Sequence, residues 1–356
     1  MTRKTLLPAL FLQLACLQTV AQVSNRDLEG LERHRSPQRT ISVLQSLDDP
    51  VDSSSTTASL IGTWDFLDEE ERADEAASHT DTTFNVDYTT MKGRLAALPQ
   101  ELILPYNKQM EAQIANYVVS HAGALRGIIG KYRYYESAIR TAFRRHGLPE
   151  DLTALAIVES AMNPLALSKA GARGMWQFMP ETARHYGLRC DYMLDERLDP
   201  YRSADAAARY LKAAYKRFGD WSLAISSYNC GPGAVESAIT KAGKNDFWSI
   251  YPYLPAETRG YMPAFVAALY SIRYHSLHGI VPRRYSEGQI TNFQITRKLS
   301  FSQIIRATGI PRKDLIALNP QYLAGSIPGD RRHYVLRLPK KYAKLFKNNI
   351  DVVDAD

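Results

Sequence analysis

Glu159 is the residue whose type and position first point to chemistry. It follows an apolar stretch, residues 152–158, and shares one helical face with Leu155 and Ala156. Burial raises the pKa of a carboxyl, and a carboxylic acid that keeps its proton near neutral pH can act as a general acid. From this helix alone, a structural Glu satisfied by hydrogen bonds is the commoner case.

A second candidate segment is residues 171–180, which read Gly-Ala-Arg-Gly-Met-Trp-Gln-Phe-Met-Pro. Glycines allow the backbone to approach a ligand closely. Gln177 can donate and accept hydrogen bonds, which suits the amides and hydroxyls of a sugar. Met179 could line a sugar face, whereas Trp176 and Phe178 are better explained as core residues.

A phenol and an amide, Tyr228 and Asn229, stand at the end of a short apolar segment just before Gly-Pro-Gly. Such a pair could reach into a cleft. The same pattern is also a common way for a helix to stop, so this pair alone is a weak signal.

The elements that must position these residues are helices joined by short turns marked by Gly or Pro, over residues 96–280. Ser203 is a candidate N-cap for one of them, and Pro263 predicts a kink or break in the last. We predict one compact, all-helical domain, with helical segments over residues 110–119, 124–145, 152–158, 180–187, 203–218, 221–229 and 257–278.

Residues 1–22 have the features of a secretion signal. Arg3 and Lys4 precede an apolar run at 6–16 that is too short to span a bilayer, and small residues follow at 19–21. Cys16 is a candidate lipid-attachment site, although Gln13 stands where a lipid-attachment motif requires an aliphatic residue. Plain export is therefore favoured over a lipid anchor.

The charge is distributed unevenly. Residues 45–90 hold twelve acidic side chains and one base, Arg72, so this part carries about −11 and the remainder about +18 of the net +7. We predict that residues 23–95 form an acidic, largely disordered arm. A basic body suits an anionic polymer, and export favours a cell-wall polymer over nucleic acid.

Only Cys190 and Cys230 remain after removal of the signal, and they could be a disulfide or two free thiols. Neither has a Cys or His at the spacing of metal ligands, so no metal site and no cofactor are predicted.

Taken together, three motifs resemble those of the family 1 lytic transglycosylases, in the goose-lysozyme-like superfamily. The motifs are Glu159-Ser160, Gly171-x-x-Gly174-Met-x-Gln177-x-x-Pro180 and Tyr228-Asn229-x-Gly231. The resemblance implies a mainly α, lysozyme-like fold over residues 96–280 and a periplasmic protein, with outer-membrane attachment as an alternative. It also implies cleavage of the β-1,4 bond between N-acetylmuramic acid and N-acetylglucosamine in peptidoglycan without water, leaving a 1,6-anhydromuramoyl end.

Residue by residue, the resemblance makes Glu159 the general acid and then the base. Ser168 matches a contact to the muramoyl N-acetyl group, with a cap-like serine equally plausible. The other matches are residues at or beside the cleft, with a core role equally plausible for the last: Gln177, Met179, Tyr228, Asn229 and Tyr261.

Residues 281–345 form a linker, a small βααβ module and a tail. A strand is predicted at 293–296, helices at 301–308 and 313–318, and a strand at 334–338, with a frayed tail after Lys340. The module resembles a degenerate LysM domain in Leu299-Ser300, Gly309-Ile310 and Leu318-Asn319. It departs from the pattern at Arg297-Lys298, where Gly-Asp is usual, so a structural or protein-contact role stays open beside glycan binding.

Two other functions fit parts of the sequence. A hydrolytic muramidase on the same fold would need a second carboxylate to activate water, and Asp195, Glu196 and Asp199 are candidates. A catalytically silent wall-binding protein would not need the motif residues. A nucleic-acid binder explains the charge but not the motifs, and the oligomeric state is left open.

Overall fold

The computed structural model describes residues 67, 69–78, 88–102, 107–285, 290–330 and 332–350. The predicted signal segment 1–22, including Cys16, and the first part of the predicted arm lie outside these residues. None of the helices in the described ranges is long and apolar enough to cross a membrane.

The described residues are mainly helical, as predicted. Short 3₁₀ or π turns connect several of the helices. Eleven α-helices precede the C-terminal module: α1 Glu69–Ser78, α2 Tyr88–Ala96, α3 Lys108–Ala115, α4 Ala122–Arg145, α5 Leu155–Ser160, α6 Pro180–His185, α7 Pro200–Phe218, α8 Trp221–Cys230, α9 Pro232–Ala242, α10 Phe247–Ile250 and α11 Ala256–Tyr274.

Helix α11 lies at the centre of the core and is buried along most of its length. It continues through Pro263, so the predicted break does not occur there. Packing on all sides can hold a helix together at a proline that would interrupt an exposed one. This helix positions Tyr261 beside α5.

The start of α7 differs from the prediction. Asp199, not Ser203, is the N-cap, and its carboxylate accepts the backbone N–H groups of Tyr201 and Arg202 at 2.9 and 3.2 Å. Pro200 takes the first helical position, which its fixed φ favours. The Ser203 hydroxyl instead donates to the Asp199 carbonyl, 2.6 Å away, from inside the first turn.

Helices α1 and α2 contradict the prediction of a largely disordered arm over the last part of residues 23–95. Helix α1 packs directly on α4, where a Cβ at Gly123 would lie 2.3 Å from the Asp74 carbonyl oxygen. The fully buried Glu71 pairs with Lys131 at 2.9 Å. An acidic composition suggested disorder here, but in the fold the buried acid of α1 is paired with a base on α4.

The C-terminal module contains the predicted β-α-α-β order. Strands β1 (Ile290–Ile295) and β4 (Tyr334–Pro339) pair antiparallel, as do the two-residue strands β2 (Leu299–Ser300) and β3 (Ser326–Ile327). Helices α12 (Phe301–Thr308) and α13 (Arg312–Leu318) lie between them along the chain.

The expected frayed tail after Lys340 is instead a helix, α14, over Lys340–Asn349. Its buried Phe346 packs against Phe293 of β1, with ring centroids 4.7 Å apart. One buried aromatic residue at the right register anchors a helix whose other residues are mostly polar.

The module is bonded to the helical domain through buried groups. Arg337 of β4 donates to both carboxylate oxygens of Asp199 at 3.0 and 3.1 Å, and its guanidinium lies 4.2 Å from the centre of the Tyr201 ring. The Leu323 N–H donates to the Met193 carbonyl at 3.0 Å. These contacts fix the module against the segment that precedes α7.

Candidate active site

Glu159 lies in the last turn of α5, directly after four buried apolar residues. Its side chain is partly exposed, whereas its surroundings are the core of the helical domain. Burial raises the pKa of Glu159 to about 8. A hydrogen bond from Tyr261 lowers that pKa, and the negative charge of Glu257 raises it.

Two phenols face this carboxyl. The Tyr261 hydroxyl donates to Glu159 Oε1. Burial, together with the charge of Glu159, raises the pKa values of Tyr261 and Tyr228 well above 10.0. Both hydroxyls therefore stay protonated and act as neutral donors. The structure thus brings together three residues predicted from separate motifs.

Tyr228 and Asn229 hold the end of α8 against its neighbours. The Tyr228 hydroxyl donates to the Trp176 carbonyl at 2.9 Å. Asn229 Oδ1 accepts a hydrogen bond of 2.7 Å from the Thr258 hydroxyl of α11. Helix α8 ends at Gly231, whose φ of 80° and ψ of 154° favour glycine, so the predicted helix stop is confirmed.

The backbone after Glu159 turns sharply. Ala161 and Met162 both have positive φ, 53° and 62°, and Gln177 has a φ of 46°. These are the non-glycine residues with positive φ in the described ranges. Such conformations cost of the order of 1–3 kcal/mol each and persist where surrounding contacts impose them.

Ser160 links this turn to the glycine-rich segment. Its hydroxyl is fully buried, donates to the Met175 carbonyl at 2.8 Å and accepts the Asn163 N–H at 3.1 Å. The conformation of residues 160–163 is thereby tied to that of residues 171–180, and both determine where the Glu159 carboxyl lies.

Gly174 shows why the segment is rich in glycine. Its φ is 82°, and an added Cβ would lie 1.8 Å from the Arg197 carbonyl oxygen. The Gln177 amide nitrogen donates to the Gly174 carbonyl at 2.8 Å, so this amide group holds the turn. Only glycine fits where two backbones approach so closely.

Ser168 and Met179 lie on either side of this turn. The Ser168 hydroxyl accepts the Ala172 N–H at 3.0 Å, which is the cap-like role considered as an alternative. Met179 is 42% exposed and stands directly before α6. Trp176 and Phe178 are core residues, as predicted, and the Trp176 ring stacks on Phe143 at 5.3 Å.

Arg197 is a positioning residue that the sequence did not single out. It is buried, donates from Nε and Nη2 to the two oxygens of Asp195, and donates from Nη1 to the carbonyls of Gly171 and Phe178 at 3.0 and 3.1 Å. One guanidinium thus holds both ends of the glycine-rich segment. Its position between the acidic residues Asp195 and Asp199 was a signal that could have suggested this role.

The three carboxylates proposed as a second catalytic group all have other partners. Asp195 is paired with Arg197, and Asp199 caps α7 and binds Arg337. Glu196 accepts the Arg189 N–H at 2.8 Å. The carboxylate whose charge acts on Glu159 is a different one, the exposed Glu257 at the start of α11.

Both cysteines in the described ranges are free thiols, Cys190 and Cys230. Burial raises their pKa values, that of Cys190 to about 12, so neither is a reactive thiolate near neutral pH. The same ranges contain no group of three or more His, Cys, Asp or Glu side chains arranged to hold a metal ion.

Two segments of this chain match known protein families. Residues 136–251 match the family described as "Transglycosylase SLT domain", and residues 289–355 match "Lytic transglycosylase MltD, LysM-like domain". These two segments are therefore similar to an SLT domain and to an MltD-type LysM-like domain, in that order along the chain. The predicted resemblance and the fold class are confirmed.

The individual proteins to which this chain is similar include two lytic murein transglycosylases. The chain is 28% identical over 253 residues to membrane-bound lytic murein transglycosylase D of Escherichia coli (strain K12), covering 69% of this chain and 55% of that protein. It is 29% identical over 202 residues to the soluble lytic murein transglycosylase of the same strain, covering 51% and 31%. The matched part of the chain thus spans about half of the length of the first relative and about a third of the length of the second.

Among solved structures, the 70 kDa soluble lytic transglycosylase from Escherichia coli is similar to this chain at 23% identity and a TM-score of 0.34, covering 56% of this chain and 37% of that one.

Proposed function

We propose that this protein is a peptidoglycan lytic transglycosylase that cleaves the β-1,4 bond between N-acetylmuramic acid and N-acetylglucosamine and leaves a 1,6-anhydromuramoyl end. The observation that carries the proposal is Glu159, a carboxyl whose pKa is raised to about 8 at the end of a buried helix, within an SLT domain. Glu159 is the catalytic residue in this proposal.

In the first step, protonated Glu159 gives its proton to the glycosidic oxygen as the bond from that oxygen to muramoyl C1 breaks. A pKa near 8 means that the acid form dominates at neutral pH, as a general acid requires. The N-acetyl oxygen of the substrate stabilises the positive charge at C1. Tyr261 orients the carboxyl through its hydrogen bond to Oε1.

In the second step, ionised Glu159 takes the proton of the muramoyl C6 hydroxyl, whose oxygen bonds to C1. Glu159 regains its proton, no water is consumed, and the attack has the entropic advantage of an intramolecular reaction. The carboxylate formed between the two steps accepts the Tyr261 hydrogen bond, which favours the charged form.

The remaining site residues would bind the strand. Ser168, Gln177 and Met179 would contact the sugars from one side, and Tyr228 and Asn229 would support the carboxyl from the other. In this proposal residues 96–280 are the catalytic domain and residues 281–345 the wall-binding module and tail. We also propose that the protein is exported to the periplasm, with anchoring through Cys16 as the alternative.

A hydrolytic muramidase is the second candidate. The position of Glu257, an exposed carboxylate near Glu159, favours it. This carboxylate lies close enough to influence Glu159 and is exposed, so it could activate a water molecule. Mass spectrometry of digested sacculi separates the two reactions, because the anhydro product is lighter than the hydrolytic product by one water. We expect the anhydro product from the parent protein and from Glu257→Gln alike.

Loss of activity in Glu159→Gln, with binding to sacculi retained, is the test of the catalytic role. The control is Glu236→Gln, a surface carboxyl that pairs with Arg217 on α7. If Glu159→Gln releases muropeptides at the parent rate, Glu159 is not the catalytic acid. If the parent protein binds sacculi and releases nothing, the protein is a silent wall-binding protein.

A further inference from the structure

A groove of about 370 Å³ lies where the glycine-rich segment meets the C-terminal module. Leu167, Arg173 and Arg184 line it from the helical domain, and Leu323 lines it from the module. We call it the junction groove. Leu167 and Leu323 are 55% and 42% exposed, which leaves two large apolar side chains in contact with solvent inside one cavity.

The charge of the junction groove is positive. Its lining includes Asp191 and Asp195, but Asp191 is bonded to Arg189, and Asp195 holds Arg197 through two hydrogen bonds. Arg173 reaches Asp195 only at 3.3 Å and as its second guanidinium partner. Arg184 is exposed and has no ion pair within the described part of the chain. The Arg184 guanidinium is therefore available to an anionic ligand, and Arg173, which shares Asp195 with Arg197, adds positive charge beside it.

The two walls are held rigidly relative to each other. Hydrogen bonds join the Asp195 N–H to the Gln321 carbonyl at 2.9 Å and the Leu323 N–H to the Met193 carbonyl at 3.0 Å. The buried pair of Arg337 and Asp199 lies at the same junction. A groove whose walls are already fixed binds a ligand without a large entropic cost of ordering.

The position of the groove connects it to the candidate active site. Leu167 directly precedes Ser168, and Pro180, which also lines the groove, directly follows Met179. A strand held by Ser168 and Met179 would therefore carry its substituents toward the junction groove. On a peptidoglycan strand, the substituent of the muramoyl sugar is a peptide stem, which bears carboxylates and aliphatic side chains.

We propose that the junction groove is a subsite for the acidic peptide stem of the substrate strand, built jointly by the SLT domain and the LysM-like module. Arg184 binds a stem carboxylate, a pairing that guanidinium geometry favours, and the positive charge of Arg173 beside it attracts the same group. Leu167 and Leu323 contact the apolar side chains of the stem. This inference rests on the proposed function, since it assigns the stem of the same substrate.

The test measures the binding of soluble glycan strands with peptide stems and of the same strands after an amidase has removed the stems. All proteins carry Glu159→Gln, so that the strands are not cleaved. The groove variants are Arg184→Ala, Arg184→Lys and Leu323→Ala. The matched controls are Arg145→Ala, an exposed arginine of α4, and Leu345→Ala, an exposed leucine of the same module.

We expect the parent to bind stem-bearing strands more tightly than stripped ones. Arg184→Ala and Leu323→Ala should weaken binding of stem-bearing strands by about 3- to 10-fold, the effect of losing one charge-assisted or one apolar contact. Binding of stripped strands should change less than about twofold. Arg184→Lys should retain part of the affinity, and the controls should behave as the parent.

Two results would overturn the assignment. One is equal affinity of the parent for stem-bearing and stripped strands, and the other is an equal loss for both strands in the groove variants. Cleavage by the protein with Glu159 intact is measured in parallel. If that protein cleaves sacculi but binding does not depend on stems, only the groove assignment fails; if it cleaves nothing, the proposed function fails, whatever the binding shows.

Discussion

Replacing Glu159 by Gln should stabilise the folded protein at neutral pH while it removes activity. In the unfolded chain the carboxyl ionises near its ordinary pKa of 4.5, whereas in the folded protein its pKa is about 8. Between these values the unfolded chain has lost the proton and the folded protein has kept it. Stability is therefore greatest below pH 4.5 and falls as the pH rises toward 8.

The size of the effect follows from the pKa difference. At pH 7 the unfolded carboxyl is 2.5 pH units above its pKa. At about 1.4 kcal/mol per unit, this gives a penalty of up to about 3 kcal/mol, with water at the partly exposed carboxyl reducing it. Gln does not titrate, so Glu159→Gln should escape the penalty.

Urea denaturation of both proteins from pH 4 to pH 8 measures this difference. The advantage of Glu159→Gln should grow between pH 4 and pH 7 by up to about 3 kcal/mol, which corresponds to a rise in Tm of up to roughly 6–12 °C. Glu236→Gln, the replacement of an exposed carboxyl on α9, is the matched control. A stability difference that stays constant across this range would refute the argument that Glu159 is held protonated by burial.

Three further predictions follow from particular contacts. Tyr261→Phe removes the hydrogen bond that lowers the pKa of Glu159, so the pH at which kcat/KM falls should move to a higher value. We also expect kcat to drop, and a move of that pH to a lower value would contradict the argument. Gly174→Ala should cost at least about 2 kcal/mol in urea denaturation, because its backbone is left-handed and its Cβ has no space, whereas Gly233→Ala, in open space, should not. Arg337→Met leaves a buried carboxylate unpaired and should cost about 3–5 kcal/mol, with faster amide exchange at the junction than elsewhere in the module.

Local sequence signals determined most of the helical elements. Periodic apolar residues and Gly or Pro stops act over one or two turns, so they can be recognised without knowing the fold. Helix α8, for example, ends at Gly231 as predicted, because few other residues accept that backbone conformation. The order of elements in the C-terminal module was predictable for the same reason.

The elements that the sequence mispredicted depend on partners distant in the chain. Helix α1 looked like part of an acidic arm, but Glu71 meets Lys131 and the helix packs on Gly123. The sequence of helix α14 suggested a fraying tail, but in the fold its Phe346 packs against Phe293. Composition shows that a charged or an apolar residue is present. It does not show which complementary residue, 50 or more positions away, will contact it in the fold.

The candidate site divides in the same way. The sequence by itself determined which residue types were present and their order: a carboxyl at the end of an apolar helix, a glycine-rich turn and a Tyr-Asn pair. The tertiary structure alone decided that the Tyr261 hydroxyl reaches Glu159, that Asp195 belongs to Arg197, and that Glu159 is buried enough to keep its proton. The physical reason is that a pKa depends on the distances and dielectric surroundings of a group, and folding sets both.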